Sequence, residues 1–365
     1  MRSLRIGIDA RAAAEVPAGK GRYVRELLRA LARRGDPHGY VLYARRPWDE
    51  PVDERFSWRL RELPEAVWHL WAARAASREC DVFLATASYV TPWFLRIPTA
   101  LVVHDLIPFQ PGVHANRRAA WIERATLRRA LRRAELVISD SHATQRDLVA
   151  RFPSSEHKAA VVHLGVSDEI GRPPTGTVLE EVRRRYALAR PFVLCAGTLE
   201  PRKNLIRLFE AFSELPERLR AEHLLVVVGP AGWHYDEILA RAREHGDEIK
   251  LVGEVPDGDL AALYRLCTVF CYPSLYEGFG LPLLEAMTAG APSITSNVSS
   301  LPEVGGDGAR YVEPTSVAQI AATLEELLDS PEQRAELSER AGREAARFSW
   351  ERAAEETLAL LTSLR

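Results

Sequence analysis

Short apolar runs alternate with amphipathic stretches along almost the whole chain. LRIGIDA (4–10), YVLYA (40–44), DVFLA (81–85), TALVVHD (99–105), ELVISD (135–140) and AAVVHL (159–164) are short and rich in β-branched residues, as buried strands are. Between them, apolar residues recur every three or four positions. In RYVRELLRALARR (22–34), Val24, Leu27, Leu28 and Leu31 share one helical face. The alternation restarts with PFVLCAG (191–197), then HLLVVVG (223–229), IKLVG (249–253), CTVFCY (267–272) and APSIT (291–295), and it ends in predicted helices at 330–347 and 350–364. Strands apolar on both faces, each followed by a helix, predict an α/β protein built on parallel sheets.

A chain of 365 residues is too long for one ordinary core and predicts about two domains. The Gly- and Pro-rich GVSDEIGRPPTGT (165–177) separates the two series. We expect a first nucleotide-fold-like domain over 1–170, a linker over 171–190 and a second domain over 191–349. A composition of 47% hydrophobic and 27% charged residues excludes disordered and fibrous classes. Cys80, Cys195, Cys267 and Cys271 form neither a CxxC pair nor a zinc-finger pattern, which fits a reducing compartment. The first apolar run ends at Asp9, and the run Val82–Leu95 is broken by Pro92. Neither a signal peptide nor a membrane span is indicated, and the expected location is cytoplasmic.

Charge adds a polarity. Residues 1–190 carry 32 Lys and Arg against 22 Asp and Glu, whereas 191–365 carry 16 against 28. Such a split either offers the first half to an anionic partner or draws two domains together. The predicted helix Arg117–Glu135 pairs an apolar face (Leu127, Ala130, Leu131, Ala134) with Arg118, Arg128, Arg129, Arg132 and Arg133. With Trp48, Trp58, Trp68, Trp71 and Trp93 it reads either as an acceptor groove or peripheral membrane surface, or as a solvated helix beside buried tryptophans. No nucleic-acid-binding module is recognisable.

The stretch richest in chemistry is YEGFGLPLLEAMTAGAPSI (276–294). Gly278 and Gly280 let the backbone approach a ligand, and a helix from Leu281 would aim its N–H groups at an anion. Glu277 and Glu285 lie eight residues apart, about 80° around a helix, so they can do separate jobs. Gly19 and Gly21, between the first strand and first helix, suit either a phosphate approach or a plain turn. His104 and Asp105 end a strand, where open α/β sheets bind ligands; Asp105 is expected to orient the histidine. In DGD (257–259), Asp257 suits an N-cap and Asp259 an acidic first turn, so no metal site is proposed.

Glu277-x7-Glu285 with GFGLP inside it and GAP after it, together with GTLEPRKNL (197–205), LVGEVPDGDLAALYRLC (251–267) and FSWERAAEETLALL (348–361), resembles the retaining glycosyltransferases of family 4, or group 1. The likeness covers nearly all of 190–365; in the first half it rests on GKGRY (19–23) and VVHD (102–105). It implies the GT-B fold: two Rossmann-like α/β/α domains facing across a cleft, with the helix over 350–365 returning to the first domain.

The resemblance also implies roles. Arg202 and Lys203 would clamp the diphosphate of a nucleotide-sugar, Glu277 would bind sugar hydroxyls, and the amides of Gly278, Phe279, Gly280 and Leu281 would grip sugar and phosphate. Glu285 would accept from the ribose, Gly197, Thr198 and Val252 would line the nucleotide, and Gly19, Gly21 and His104 would contact the ligand from the first domain. The family often has Arg where this chain has Thr198, which shifts the clamp onto Arg202, Lys203 and backbone donors. The implied reaction is retaining, metal-independent hexosyl transfer in polysaccharide assembly, to a saccharide or lipid-linked acceptor. It needs no cofactor, and GDP-mannose is the first donor to consider. A GT-B epimerase or phosphorylase, a glycoside hydrolase with carboxylates about 5–10 Å apart, and a non-catalytic carbohydrate-binding protein remain open from sequence.

Overall fold

A computed structural model describes residues 3–16, 19–50, 52–110 and 117–365. The chain divides into two compact units, Met1–Gly165 with Ser349–Arg365, and Val166–Phe348.

The first unit holds seven parallel strands, β1 (Arg5–Asp9), β2 (Gly39–Ala44), β3 (Phe56–Leu60), β4 (Val82–Ala85), β5 (Thr99–Val103), β6 (Leu136–Ser139) and β7 (Ala159–Val161), in the order 3-2-1-4-5-6-7. β4, β5 and β6 are buried along their whole length, because crossover helices cover both faces of the sheet. The helix Lys20–Arg34 packs against the terminal helix Trp350–Thr362 of the same unit. Ser349 caps that terminal helix by accepting from the Arg352 N–H, and Arg33 pairs with Glu351 at 2.7 Å. Trp350 is only 2% exposed. An indole so buried contributes on the order of 3 kcal/mol.

The second unit has six parallel strands, β8 (Phe192–Ala196), β9 (Leu224–Val228), β10 (Ile249–Gly253), β11 (Val269–Tyr272), β12 (Ser293–Ser296) and β13 (Ala309–Val312), in the order 10-9-8-11-12-13. The chain runs outward from β8 to β10, then crosses back to pair β11 with β8. The crevice outside the carboxyl ends of β8 and β11 is therefore a topological switch point, where open sheets bind ligands.

The expected linker over 171–190 is instead structured within the second unit. Thr175 caps the helix Gly176–Arg185, and Arg185 and Tyr186 both bond Asp259, at 2.5 Å each. That fixes the role of DGD: Pro256 is the N-cap, Asp257 is the first helical residue, and Asp259 holds the helix Gly176–Arg185 in place. Among the described residues, no helix is long and apolar enough to cross a membrane.

Candidate active site

At the switch point of the second sheet, β8 runs into Gly197, the short turn Pro201–Lys203 and the helix Leu205–Ser213. The ends of β8 and β9 meet closely here. A Cβ on Gly229 would lie 2.0 Å from the Gly197 carbonyl oxygen, so only glycine fits. On the facing side, β11 leads through a loop to the helix Leu281–Thr288, which begins after Gly280. Two helices thus start beside one crevice, each with the positive end of its dipole at the sheet's carboxyl edge.

Three charged side chains converge there. Glu277 Oε1 accepts from Lys203 Nζ at 2.7 Å and from the Tyr272 hydroxyl at 2.8 Å, and Glu277 Oε2 lies 2.7 Å from Arg202 Nη1. Lys203 also donates to the Tyr272 hydroxyl and sits 4.7 Å above its ring. Arg202 donates through Nε and Nη2 to Glu200 Oε1 (2.9 and 2.6 Å), and through Nη1 to the Tyr276 carbonyl (2.7 Å). Glu200 in turn accepts from Trp233 Nε1 at 3.1 Å.

The side chains of Arg202, Lys203 and Glu277 are each no more than 10% exposed. Burial pushes the Glu277 carboxyl upward, but Arg202 and Lys203 outweigh it and hold the group at about 2. Burial and the Arg202 guanidinium press Lys203 below the ordinary lysine value despite Glu277. The result is a buried cluster in which two cations are held side by side by fixed carboxylates.

Of the other candidates of this unit, Gly197 and the loop after Glu277 adjoin the cluster, whereas Glu285 and Val252 lie apart from it. Gly197 adjoins Lys203, since a Cβ there would lie 3.2 Å from Lys203 Cε. Glu277 N–H donates to Ser299 Oγ, and Ser300 Oγ donates to the carbonyls of Glu277 and Phe279, which shapes the loop of Gly278, Phe279 and Gly280 ahead of Leu281. Glu285 is separate, as expected of the spacing, and accepts from the Tyr264 hydroxyl at 3.0 Å. Val252 is the extra residue at a register shift between Leu251 and Gly253 on edge strand β10. Thr198 follows Gly197 beside the approach of Gly232, whose Cβ would lie 2.8 Å from Thr198 Cγ2.

In the first unit, His104 follows β5 and is 9% exposed. Its Nδ1 lies 2.8 Å from Asp140 Oδ2 and its Nε2 lies 2.8 Å from the Thr86 carbonyl, while the Tyr23 ring packs edge-on at 4.8 Å. A carbonyl only accepts, so Nε2 carries a proton. Both ring nitrogens are thus engaged within the first unit.

Two expectations change here. Asp105 does not orient the histidine; it accepts from the Ile107 N–H and shapes the next turn. The reason is register: Val103 pairs with Ser139, which sets His104 beside Asp140 across the strand ends. Gly21 lies inside the helix Lys20–Arg34 rather than in a turn before it, and a Cβ there would lie 1.7 Å from the Val16 carbonyl oxygen, so only glycine fits. Gly19, with φ +54, precedes the helix Lys20–Arg34 and has open space around it.

The basic helix Arg117–Arg133 buries Leu127, Ala130 and Leu131 and exposes Arg128, Arg129 and Arg132; the side chain of Arg118 lies outside the described residues. The tryptophans upstream do not form an exposed surface with it: Trp68 is fully buried, and Trp48, Trp58, Trp71 and Trp93 are partly buried. Among the described residues, Trp121, at 69% exposure, and Ile122, at 46%, are the large apolar residues this helix exposes.

Residues 180–344 match the family described as Glycosyl transferases group 1, and residues 17–170 match Glycosyltransferase Family 4. O-antigen chain mannosyltransferase B of Escherichia coli is 36% identical over 261 residues, spanning 70% of this chain and 68% of that protein. The chain belongs to glycosyltransferase family 4. Another relative of this glycosyltransferase, the serotype-specific mannosyltransferase WbdA of Escherichia coli, is 31% identical over 270 residues. That match covers 71% of this chain but only 32% of WbdA, so the chain spans about a third of that relative's length. HepE of Anabaena, solved in complex with UDP and glucose, superposes with a TM-score of 0.79 at 18% identity, covering 99% of this chain and all of that one. The fold of this family 4 glycosyltransferase is GT-B, with two parallel-sheet α/β domains.

Four partners of the candidate residues escaped sequence reasoning: Glu200, Tyr272 and Trp233 in the second unit, and Asp140 beside His104 in the first. Asp140 was legible in principle, because it ends the strand next to the one that ends in His104. Trp233 carried no such signal, since it reaches Glu200 from a loop 33 residues away.

Proposed function

We propose that this protein is a retaining mannosyltransferase of polysaccharide assembly that moves mannose from GDP-mannose to a saccharide or lipid-linked acceptor. The observation that carries this reading is the buried cluster of Arg202, Lys203 and Glu277 at the switch point of the second sheet, between two helix starts. A departing diphosphate gathers negative charge, and fixed cations with helix-end dipoles stabilise that charge as it develops. Arg202 and Lys203 take the part a metal ion would otherwise play, so the reaction needs none. The names of the two mannosyltransferase relatives support mannose as the sugar.

Retention is what the family resemblance implies, and the occupation of the carboxylates speaks against reaching it through a covalent glycosyl-enzyme. Glu277 holds two cations and a phenol, and Glu285 is 2% exposed, so neither is presented as a nucleophile. In the reaction we favour, the acceptor hydroxyl oxygen attacks the anomeric carbon on the face the leaving group departs. The bond from that carbon to the phosphate oxygen breaks, and the hydroxyl proton passes to the departing phosphate.

Incubation with a panel of GDP- and UDP-sugars in EDTA, with product anomers assigned by NMR, tests the reading. Transfer from GDP-mannose with the donor's anomeric configuration kept is the expected result. Inverted product, or activity abolished by EDTA and restored by a divalent ion, would refute it.

A lipid-linked acceptor would bring the protein to a membrane surface, and the exposed Trp121 and Ile122 among the arginines of the helix Arg117–Arg133 suit that contact. Trp121→Glu should lower binding to vesicles of anionic phospholipid several-fold in a sedimentation assay, with activity on a soluble acceptor kept. Equal vesicle binding by the variant would count against the contact.

A further inference from the structure

Arg202 has five N–H donors, and the protein itself already engages four: two on Glu200 Oε1, one on the Tyr276 carbonyl and one on Glu277 Oε2. Lys203 has three, of which two go to Tyr272 and Glu277. Two cations face two carboxylates, so the cluster is neutral as it stands. Glu277 is needed to hold Arg202 and Lys203 side by side. Glu200 is not: with Glu200 removed, Arg202 would still be fixed by Glu277 and by the Tyr276 carbonyl, both at 2.7 Å. Yet Glu200 occupies the Nε and Nη2 edge of the guanidinium, the edge that grips a phosphate with two parallel hydrogen bonds. Trp233 pins the other carboxylate oxygen, so Glu200 stays where it is.

We propose that Glu200 is a positioning residue that competes with the donor's diphosphate for Arg202, and thereby weakens the hold on nucleoside diphosphate once the sugar has left. This rests on the reading of the cluster as the diphosphate clamp. A carboxylate this close to the phosphate site repels it and shares its best donor. The cost falls on product and substrate alike and keeps the product from lingering. A merely structural glutamate would act in the opposite direction, because losing it would slacken Arg202 and weaken binding.

The sign of the effect is therefore the test. GDP and UDP are titrated calorimetrically into the wild-type chain, E200Q and E200D, and GDP is assayed as a product inhibitor. E200Q keeps the shape and drops the charge. It should bind GDP about fivefold more tightly, with its inhibition constant falling in parallel, as expected from removing one like charge near a phosphate. E200D keeps the charge but draws it back from the Arg202 edge, so it should tighten GDP binding clearly less than E200Q does. Unchanged or weaker GDP binding by E200Q with wild-type thermal stability overturns the proposal, and so does equal tightening in E200D. If the wild-type chain binds neither GDP nor UDP, the clamp reading itself fails, a result distinct from either.

Discussion

Replacing Glu277 with glutamine should lower turnover roughly a hundred- to a thousandfold, the loss typical of removing a group that fixes charge around a transition state. Glutamine matches the shape but cannot bridge two cations. Lys203 and Arg202 would then repel one another across a neutral amide, and the site would lose its fixed geometry. Alanine is a poorer probe, since it strands the same two buried cations and also empties the space the side chain fills, adding a packing loss to the charge effect. The ionised carboxyl also has a pH signature. Its value in the folded protein is about 2, below the ordinary 4.5, so its stabilising effect is complete above about pH 4.5 and is lost as pH falls through 2. Between those limits the wild-type melting temperature should fall more steeply with acid than that of E277Q. Turnover within a few-fold of wild type, or parallel melting curves, would show that Glu277 does not hold the clamp.

Lys203→Met should weaken GDP binding by about ten- to a hundredfold in calorimetry, the scale of one desolvated, charge-assisted contact. Stability should move far less. The lysine is buried, and a methionine of similar length fills the same space. Tyr272 can still donate to Glu277, and Arg202 still pairs with it. A variant that melts like the wild type and binds GDP equally well would remove Lys203 from the donor site.

The pattern of apolar runs located eleven of the thirteen strands to within a few residues. The two it missed, β3 (FSWRL) and β13 (ARYV), both lie at sheet edges. An edge strand has one hydrogen-bonding side open and keeps polar residues such as Arg59 and Arg310, so its sequence lacks the continuous apolar run of a central strand. The motif around Glu277 and the pair Arg202–Lys203 were legible as chemistry, because glycines, carboxylates and cations cluster in short stretches. Their mutual contacts were not. Glu277 and Lys203 are 74 positions apart and meet only because β8 and β11 are neighbours. The same holds for His104, where sequence adjacency pointed to Asp105 while strand register selects Asp140. Sequence proximity favours local partners; parallel sheets assemble their carboxyl edges from residues far apart.

Because Trp350 and the helix that carries it belong with Met1–Gly165, the unit encoded first is finished last. During synthesis, the helix Lys20–Arg34 waits with its packing face bare while more than three hundred further residues are made. The nascent N-terminal half must therefore stay soluble without its closing piece, whereas Val166–Phe348 is contiguous and can fold as soon as it emerges.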